Sequence, residues 1–139
     1  MTSHKRVQKL LTENDLGMTG SHQAGIHIPK SVIGFFPSLD PSKKNPDRMI
    51  EFESDQGRTF LVRYIHYNNK IVTDTGTRDE FRLTRIVPVL RSLGAQVGDW
   101  IEFSRISENQ YKVSVSPTEQ NAEMNITVFA SSGWRSVSR

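Results

Sequence analysis

The sequence predicts an all-β domain of about six or seven short strands with two short helices. Three observations lead there. From residue 48 onward apolar and polar residues alternate with a period of two, and turn-forming groups such as Asp55-Gln56-Gly57, Asn68-Asn69 and Ser107-Glu108-Asn109-Gln110 separate the runs. No strand pattern is followed by a long helical one, so the βαβ order of a doubly wound sheet is missing. Short strands at this spacing suit a sandwich or a barrel.

The elements follow in order. Residues 5–11 (Lys-Arg-Val-Gln-Lys-Leu-Leu) suggest one or two helical turns. Residues 12–25 carry loop chemistry, including Gly17, Gly20 and Gly25. A short strand is expected at 24–28, ended by Pro29. Ser31–Phe36 is apolar and too short to distinguish a helical turn from a strand. Residues 37–47 hold three Pro, two Asp and two Lys and read as an exposed loop. Strands are then expected at 48–53, 58–67 and 76–84. Ile86, Val89, Leu90 and Leu93 have helical spacing, with Pro88 near the start and Gly94 as the cap. Trp100–Arg105 and Tyr111–Val115 close the ladder. Residues 116–139 are polar, make no obvious core contribution, and suggest that the chain is part of a longer protein.

Composition bounds the chemistry. The 139 residues contain no Cys, which excludes a disulfide scaffold, a thiol nucleophile and a cysteine zinc site. The longest apolar runs, such as Phe60-Leu61-Val62, fall far short of the roughly 20 residues of a membrane-crossing helix, so no membrane partner is expected. The N-terminus lacks the apolar stretch of a secretory signal, which leaves an intracellular location as the expectation. The net charge is +3; residues 58–91 alone carry +4, and six of their seven cations are Arg. Arginine's planar fork fits phosphates and guanine edges, although a solvated face of mixed charge explains the same composition.

Catalytic patterns are missing. The four His show no metal-ligand spacing, and no phosphate-cradling glycine loop or nucleophile elbow occurs. No Lys stands two residues after an acid, the step that many magnesium-dependent nucleases use. Glu51 and Glu53 alternate with Ile50 and Phe52, as on the solvent face of a strand.

Three constellations remain. Gly20-Ser21-His22-Gln23-Ala24-Gly25-Ile26-His27 sets side chains that can read base edges between two glycines that allow close backbone approach; an ordinary loop entering a strand accounts for it as well. In Thr77-Arg78-Asp79-Glu80-Phe81-Arg82, strand parity directs Arg78, Glu80 and Arg82 to one face and Phe81 and Leu83 to the other. Exposed Arg, Glu and Arg suit a G·C pair, with Arg on guanine O6/N7 and Glu accepting from cytosine N4; a self-neutralising surface ladder is the plain alternative. Gly98-Asp99-Trp100-Ile101-Glu102-Phe103 reads as structural.

These strings resemble a known family. Leu11-Thr12-Glu13-Asn14-Asp15, Thr19–Gly25, Ile28-Pro29-Lys30, Tyr67-Asn68-Asn69-Lys70 and Gly76–Arg85 resemble, in order, the N-terminal effector domain of EcoRII-type restriction endonucleases. Val97-Gly98-Asp99 with Ile101-x-Phe103 is similar to the wider plant B3 DNA-binding family.

The resemblance implies a seven-stranded B3-like DNA-binding pseudobarrel over residues 11–116, with 1–10 an extension and 117–139 a linker or tail toward a catalytic domain. It implies a monomeric domain that grips double-stranded DNA with two arms in the major groove at CC(A/T)GG. Ser21, His22, Gln23 and His27 would act from the N-arm, and Thr77, Arg78, Asp79, Glu80 and Arg82 from the C-arm. Asn68, Asn69 and Lys70 would hold the adjacent DNA backbone. No cofactor is implied here, and Mg2+ only for a separate nuclease domain; the location implied is the bacterial cytoplasm. Three other readings stay open: a B3-like domain with another target, a small nuclease using Glu51, Glu53 and Glu80, and a small barrel that binds protein.

Overall fold

The computed structural model describes residues 6–18, 25–73, 75–116, 125–128 and 132–138. Among the described residues, nine strands lie in one sheet: β1 (Arg6–Leu10), β2 (Ile26–Ile28), β3 (Asp47–Glu53), β4 (Thr59–Tyr67), β5 (Glu80–Thr84), β6 (Trp100–Ser107), β7 (Gln110–Ser116), β8 (Asn125–Val128) and β9 (Trp134–Ser138). Their order is β2-β5-β4-β3-β7-β6-β1-β9-β8. Neighbours are antiparallel except β3 and β7, which run parallel through Phe52↔Tyr111 and Glu53↔Lys112. Two short helices, α1 (Asn69–Val72) and α2 (Val87–Ser92), and a 3-10 turn at Ile33–Phe35 complete the described elements.

The core follows from strand parity. Ile50 and Phe52 of β3, Val62 and Tyr64 of β4, Leu83 of β5, and Ile101 and Phe103 of β6 are all buried on one face. The 3-10 turn delivers Phe35 and Phe36 into it. Phe36 stacks on Tyr64 at 5.0 Å and meets Phe103 and Trp134 edge-on. α2 caps the core with Val89 and Leu90; Pro88 sits in its first turn, and Gly94 follows with φ +70°, as its sequence position suggested.

Five expectations change. Residues 5–11 are not helical: Arg6–Leu10 is strand β1, paired with β6 on one side and β9 on the other. Val7 and Lys9 pair with the core residues Phe103 and Ile101 and Gln8 with Glu102 on the opposite face, where pairing on both sides buries it too and overrides local helix propensity. Residues 1–10 are therefore not a mere extension of the fold, because β1 lies inside the sheet. Asn68-Asn69 is not a tight hairpin turn either; α1 begins there, and the 76–84 strand shortens to Glu80–Thr84 because β4 ends at Tyr67, the partner of Glu80. The C-terminal segment does contribute to the core. Trp134 is 1% exposed and stacks on Phe103, and β9 pairs with β1.

Trp134 also closes the fold. Its indole Nε1–H donates to the carbonyl of His27 at 2.9 Å, joining β9 to the edge strand β2 from across the sheet order. Beside it, the buried Lys9–Asp15 ion pair (2.8 Å) fixes the turn that opens the loop between β1 and β2. Lys9 Nζ also donates to the Leu10 carbonyl, and Asp15 Oδ2 accepts from the Thr12 N–H, so neither charge is buried without further hydrogen bonds.

Trp134→Ala should lower unfolding free energy by about 3–5 kcal/mol, the usual range for deleting a buried large aromatic. Trp134→Phe, which keeps a ring and loses the bond to His27, should lose less, though the smaller ring adds to the roughly 1 kcal/mol of one hydrogen bond. Urea titration followed by circular dichroism checks both; an unchanged midpoint for Trp134→Ala would remove β9 from the core.

Candidate functional site

The site gathers where β4 ends, β5 begins and β2 lies alongside. β5 pairs with β4 through Tyr67↔Glu80 and Ile65↔Arg82, and with β2 through His27↔Arg82. Cross-strand partners share a face. His27, Tyr67, Glu80 and Arg82 thus lie on one outer surface, with Arg78 continuing the row.

Glu80 organises this row. Arg78 donates from Nε (3.0 Å) and Nη2 (2.6 Å) to Glu80 Oε1, and Arg82 donates from Nη1 to Oε2 at 3.2 Å. The Arg78 guanidinium lies 3.8 Å over the Tyr67 ring. Burial raises the Glu80 carboxyl's pKa, but the bonds and charge of Arg78, with those of Arg82, more than offset it, so the carboxyl stays below its ordinary value and ionised. The row is graded in exposure: the side chains of Arg78, Glu80 and Arg82 are 35%, 22% and 7% exposed. Arg82 is therefore not part of an open row as parity alone suggested. It is a buried brace under Glu80, because β2 lies beside it and not solvent.

The backbone of the arm is pinned at Arg78. Asn69 Oδ1 accepts from the Arg78 N–H at 2.7 Å, and the Lys70 N–H donates to the Arg78 carbonyl at 2.9 Å. Gly76 is required there, since any Cβ would collide with the Asn69 carbonyl oxygen. Gly25 does the same for β2: its φ is +122°, and a Cβ would sit 2.5 Å from the Leu83 carbonyl oxygen.

The remaining expected residues divide. Ser21, His22 and Gln23 lie outside the described residues. Lys70 and Thr77 are exposed, Lys70 on α1 and Thr77 in the arm. Asn68 is 1% exposed and its side chain is committed to the protein, so it does not itself reach a nucleic-acid backbone. Its Oδ1 accepts from the Asn45 N–H at 2.8 Å and its Nδ2 donates to the Lys43 carbonyl at 2.7 Å. Asp79 faces inward and serves the arm's own architecture. Its carboxylate accepts from Lys30 Nζ at 2.7 Å and meets His66 Nε2 at 2.8 Å, and His66 stacks on Phe81 at 3.9 Å. His27 is exposed by area yet partly desolvated. Burial lowers its pKa below 6.5, opposed by Glu80 and aided by Arg82 and Lys9, so at neutral pH it is a neutral donor and acceptor.

Sequence reasoning missed Tyr67, His66 and Lys30. Tyr67 and Lys30 fall within the resembling strings; what gives them roles is the register across β4 and β5 and the fold that brings Lys30 to Asp79, neither visible in local pattern.

Glu51, Glu53 and Glu80 do not converge. Glu51 pairs with Leu61 and Glu80 with Tyr67, so about 20 Å of β4 separates them, at roughly 3.3 Å per residue. Among the described residues no group of three or more His, Asp or Glu could hold a metal ion, and no helix is long and apolar enough to cross a membrane.

The curled sheet, with its arm between β4 and β5, is the B3-like fold. A chain of an Arabidopsis FUS3–DNA complex has it too, with a TM-score of 0.59 and 19% identity over 81% of this chain and 96% of that one. The family model for restriction endonuclease EcoRII, N-terminal, matches residues 2–93, and the chain belongs to that family. It is 35% identical over 83 residues to the type II restriction enzyme EcoRII of Escherichia coli, a match covering 57% of this chain and 20% of that enzyme. The chain thus spans about a fifth of that relative's length.

Asp79 yields a pH dependence. The bonds from Lys30, then His66, hold its carboxyl below the ordinary value against a smaller opposing pull from burial. Its folded pKa is thus lower than its unfolded one, so its contribution to stability is complete above the ordinary value of about 3.9 and drains away as pH falls through the folded value. The stability difference between the unaltered chain and Asp79→Asn should shrink steadily below about pH 4. Denaturant titrations across that range check this, and a difference that widens in acid would contradict the arrangement.

Proposed function

We propose that this chain is a sequence-specific double-stranded DNA-binding domain, the targeting module of a type II restriction enzyme acting in the bacterial cytoplasm, and that it does not cut DNA itself. The observation that carries the reading is the Arg78–Glu80–Arg82 row. Glu80 takes two of the five N–H bonds of Arg78, and Tyr67 supports the guanidinium plane. The other three make no hydrogen bond to a described residue, and the side chain is 35% exposed. A fork so held loses little freedom on meeting guanine O6 and N7 in the major groove. Glu80, kept ionised, can accept from cytosine N4 on the same base pair. Family membership and a B3-like neighbour solved with DNA support the same reading.

The target is CC(A/T)GG, bound asymmetrically by one domain through two arms. Ser21, His22 and Gln23 read from the loop between β1 and β2 and His27 from β2, and Arg78 from the arm with Glu80 at the start of β5, with Arg82 bracing them. Thr77, Asn69 and Lys70 flank the arm, where Lys70 faces phosphate. No cofactor takes part in binding; Mg2+ belongs to the nuclease domain of the parent enzyme. The separation of Glu51 and Glu53 from Glu80 argues against a self-sufficient nuclease.

A gel-shift titration at near-physiological salt tests this. A duplex with CCTGG should bind about a hundredfold more tightly than one with that sequence scrambled, within the usual specificity range. Arg78→Ala should lose about 1–3 kcal/mol on the first duplex and little on the second. Equal weak binding of the unaltered chain to both duplexes would remove the target and favour a B3-like domain with another one. No salt-sensitive binding at all would favour a protein-binding barrel.

A further inference from the structure

A second basic feature stands beside the arm. The loop of residues 37–46 ends in Ser42-Lys43-Lys44-Asn45-Pro46, and Lys43 and Lys44 are both exposed. The loop is built and anchored. Asp40 Oδ1 accepts from the Ser42 N–H (2.9 Å) and hydroxyl (2.7 Å), which closes a turn leading into Lys43. Asn45 takes the left-handed conformation, φ +49°, that Asn tolerates better than most residues. The Pro46 carbonyl accepts from the His66 N–H at 3.0 Å.

The strongest anchor is Asn68. Its side chain is buried and bonds the backbone on both sides of Lys44, through the Lys43 carbonyl and the Asn45 N–H; Asn45 Oδ1 in turn accepts from the Asn68 N–H at 3.1 Å. Burying an amide is costly unless it is bonded, and here its bonds hold a solvent-facing loop, not the core. Asn68 stands between Tyr67, which supports the Arg78 guanidinium, and Asn69, which bonds the Arg78 backbone. The backbone that carries the two lysines is thus anchored between the two residues that hold Arg78. Among the described residues neither lysine forms an ion pair with an acidic side chain.

We infer that the Lys43–Lys44 tip is a further DNA-backbone contact, a pair of cations held by Asn68 beside the arm to neutralise phosphodiester groups flanking the bases that Arg78 reads. The inference rests on the DNA-binding reading above. In it Asn68 is a positioning residue that touches no ligand. Phosphate contacts carry no sequence information; they set register and contribute salt-dependent affinity.

The test is the salt dependence of binding, measured with the full chain on the CCTGG and scrambled duplexes. The double variant Lys43→Ala, Lys44→Ala keeps the Lys43 carbonyl that Asn68 needs. It should weaken binding to both duplexes by a similar factor and make the slope of log affinity against log salt shallower by about 1.8, or about 0.9 per phosphate. Arg58→Ala removes an exposed cation at the far end of β4, about 25 Å away at roughly 3.3 Å per residue, and should leave the slope close to that of the unaltered chain. Asn68→Ala, if folded by circular dichroism, should move the slope toward the double-lysine value; if it does not fold, the lysine pair and Arg58 decide. A double-lysine slope equal to that of the unaltered chain or of Arg58→Ala, with CCTGG still preferred, overturns this inference alone. No binding by the unaltered chain overturns both.

Discussion

Tyr67, Asn68 and Asn69 leave the end of β4 toward three different neighbours, and the geometry of the site depends on them. Tyr67 lies under the Arg78 guanidinium, Asn68 holds the loop at Lys43–Asn45, and Asn69 bonds the Arg78 backbone. The rigid element is the nine-residue strand that Tyr67 ends, paired with β3 over Thr59–Ile65 and with β5 over Arg63–Tyr67. Order in a central strand is thereby passed to two surface loops. A recognition element needs this, because a side chain fixed before binding does not lose that freedom on binding.

The frame behind the arm is held by contacts between residues far apart in the chain. Trp134 reaches His27, and Gln8 lies between Glu102 and Arg135, each tying β1, β9 or β2 to another part of the sheet. A local tie, the Lys9–Asp15 pair, holds the turn that follows β1. The two loops proposed to grip DNA begin next to these ties: the 12–18 turn starts at the Lys9–Asp15 pair, and β2 is linked through Lys30 to Asp79 in the arm. Buried ion pairs add little net stability against well-packed apolar alternatives but are strongly destabilising to break. Here, their direction and hydrogen-bond geometry matter more than their net strength.

Local pattern made much of this legible. The alternation in β3, β4, β6 and β7 follows directly from which residues are buried, and α2 carries Pro88 in its first turn and ends before Gly94 as expected. The shared face of Arg78 and Glu80 also follows from parity. What local pattern could not reveal depends on distant partners. Arg6–Leu10 has helix-compatible composition, and only β6 and β9, about ninety or more residues away, make it a strand. Trp134 sits in a polar tail, yet its ring enters the core. Arg82 is buried because β2 lies beside it, and Asn68 is a clamp because the 37–46 loop returns to it. In each case the decisive contact spans a separation that periodicity does not see.

The central claim is that Arg78, pre-set by Glu80 and Tyr67, reads a guanine edge. Replacing the guanines of CCTGG one at a time by 7-deazaguanine removes the N7 acceptor and changes little else. At one of these positions the unaltered chain should lose about 1–3 kcal/mol of binding, and Arg78→Ala should lose nothing further there. Equal losses for both proteins at every position, or none for either, would contradict the claim.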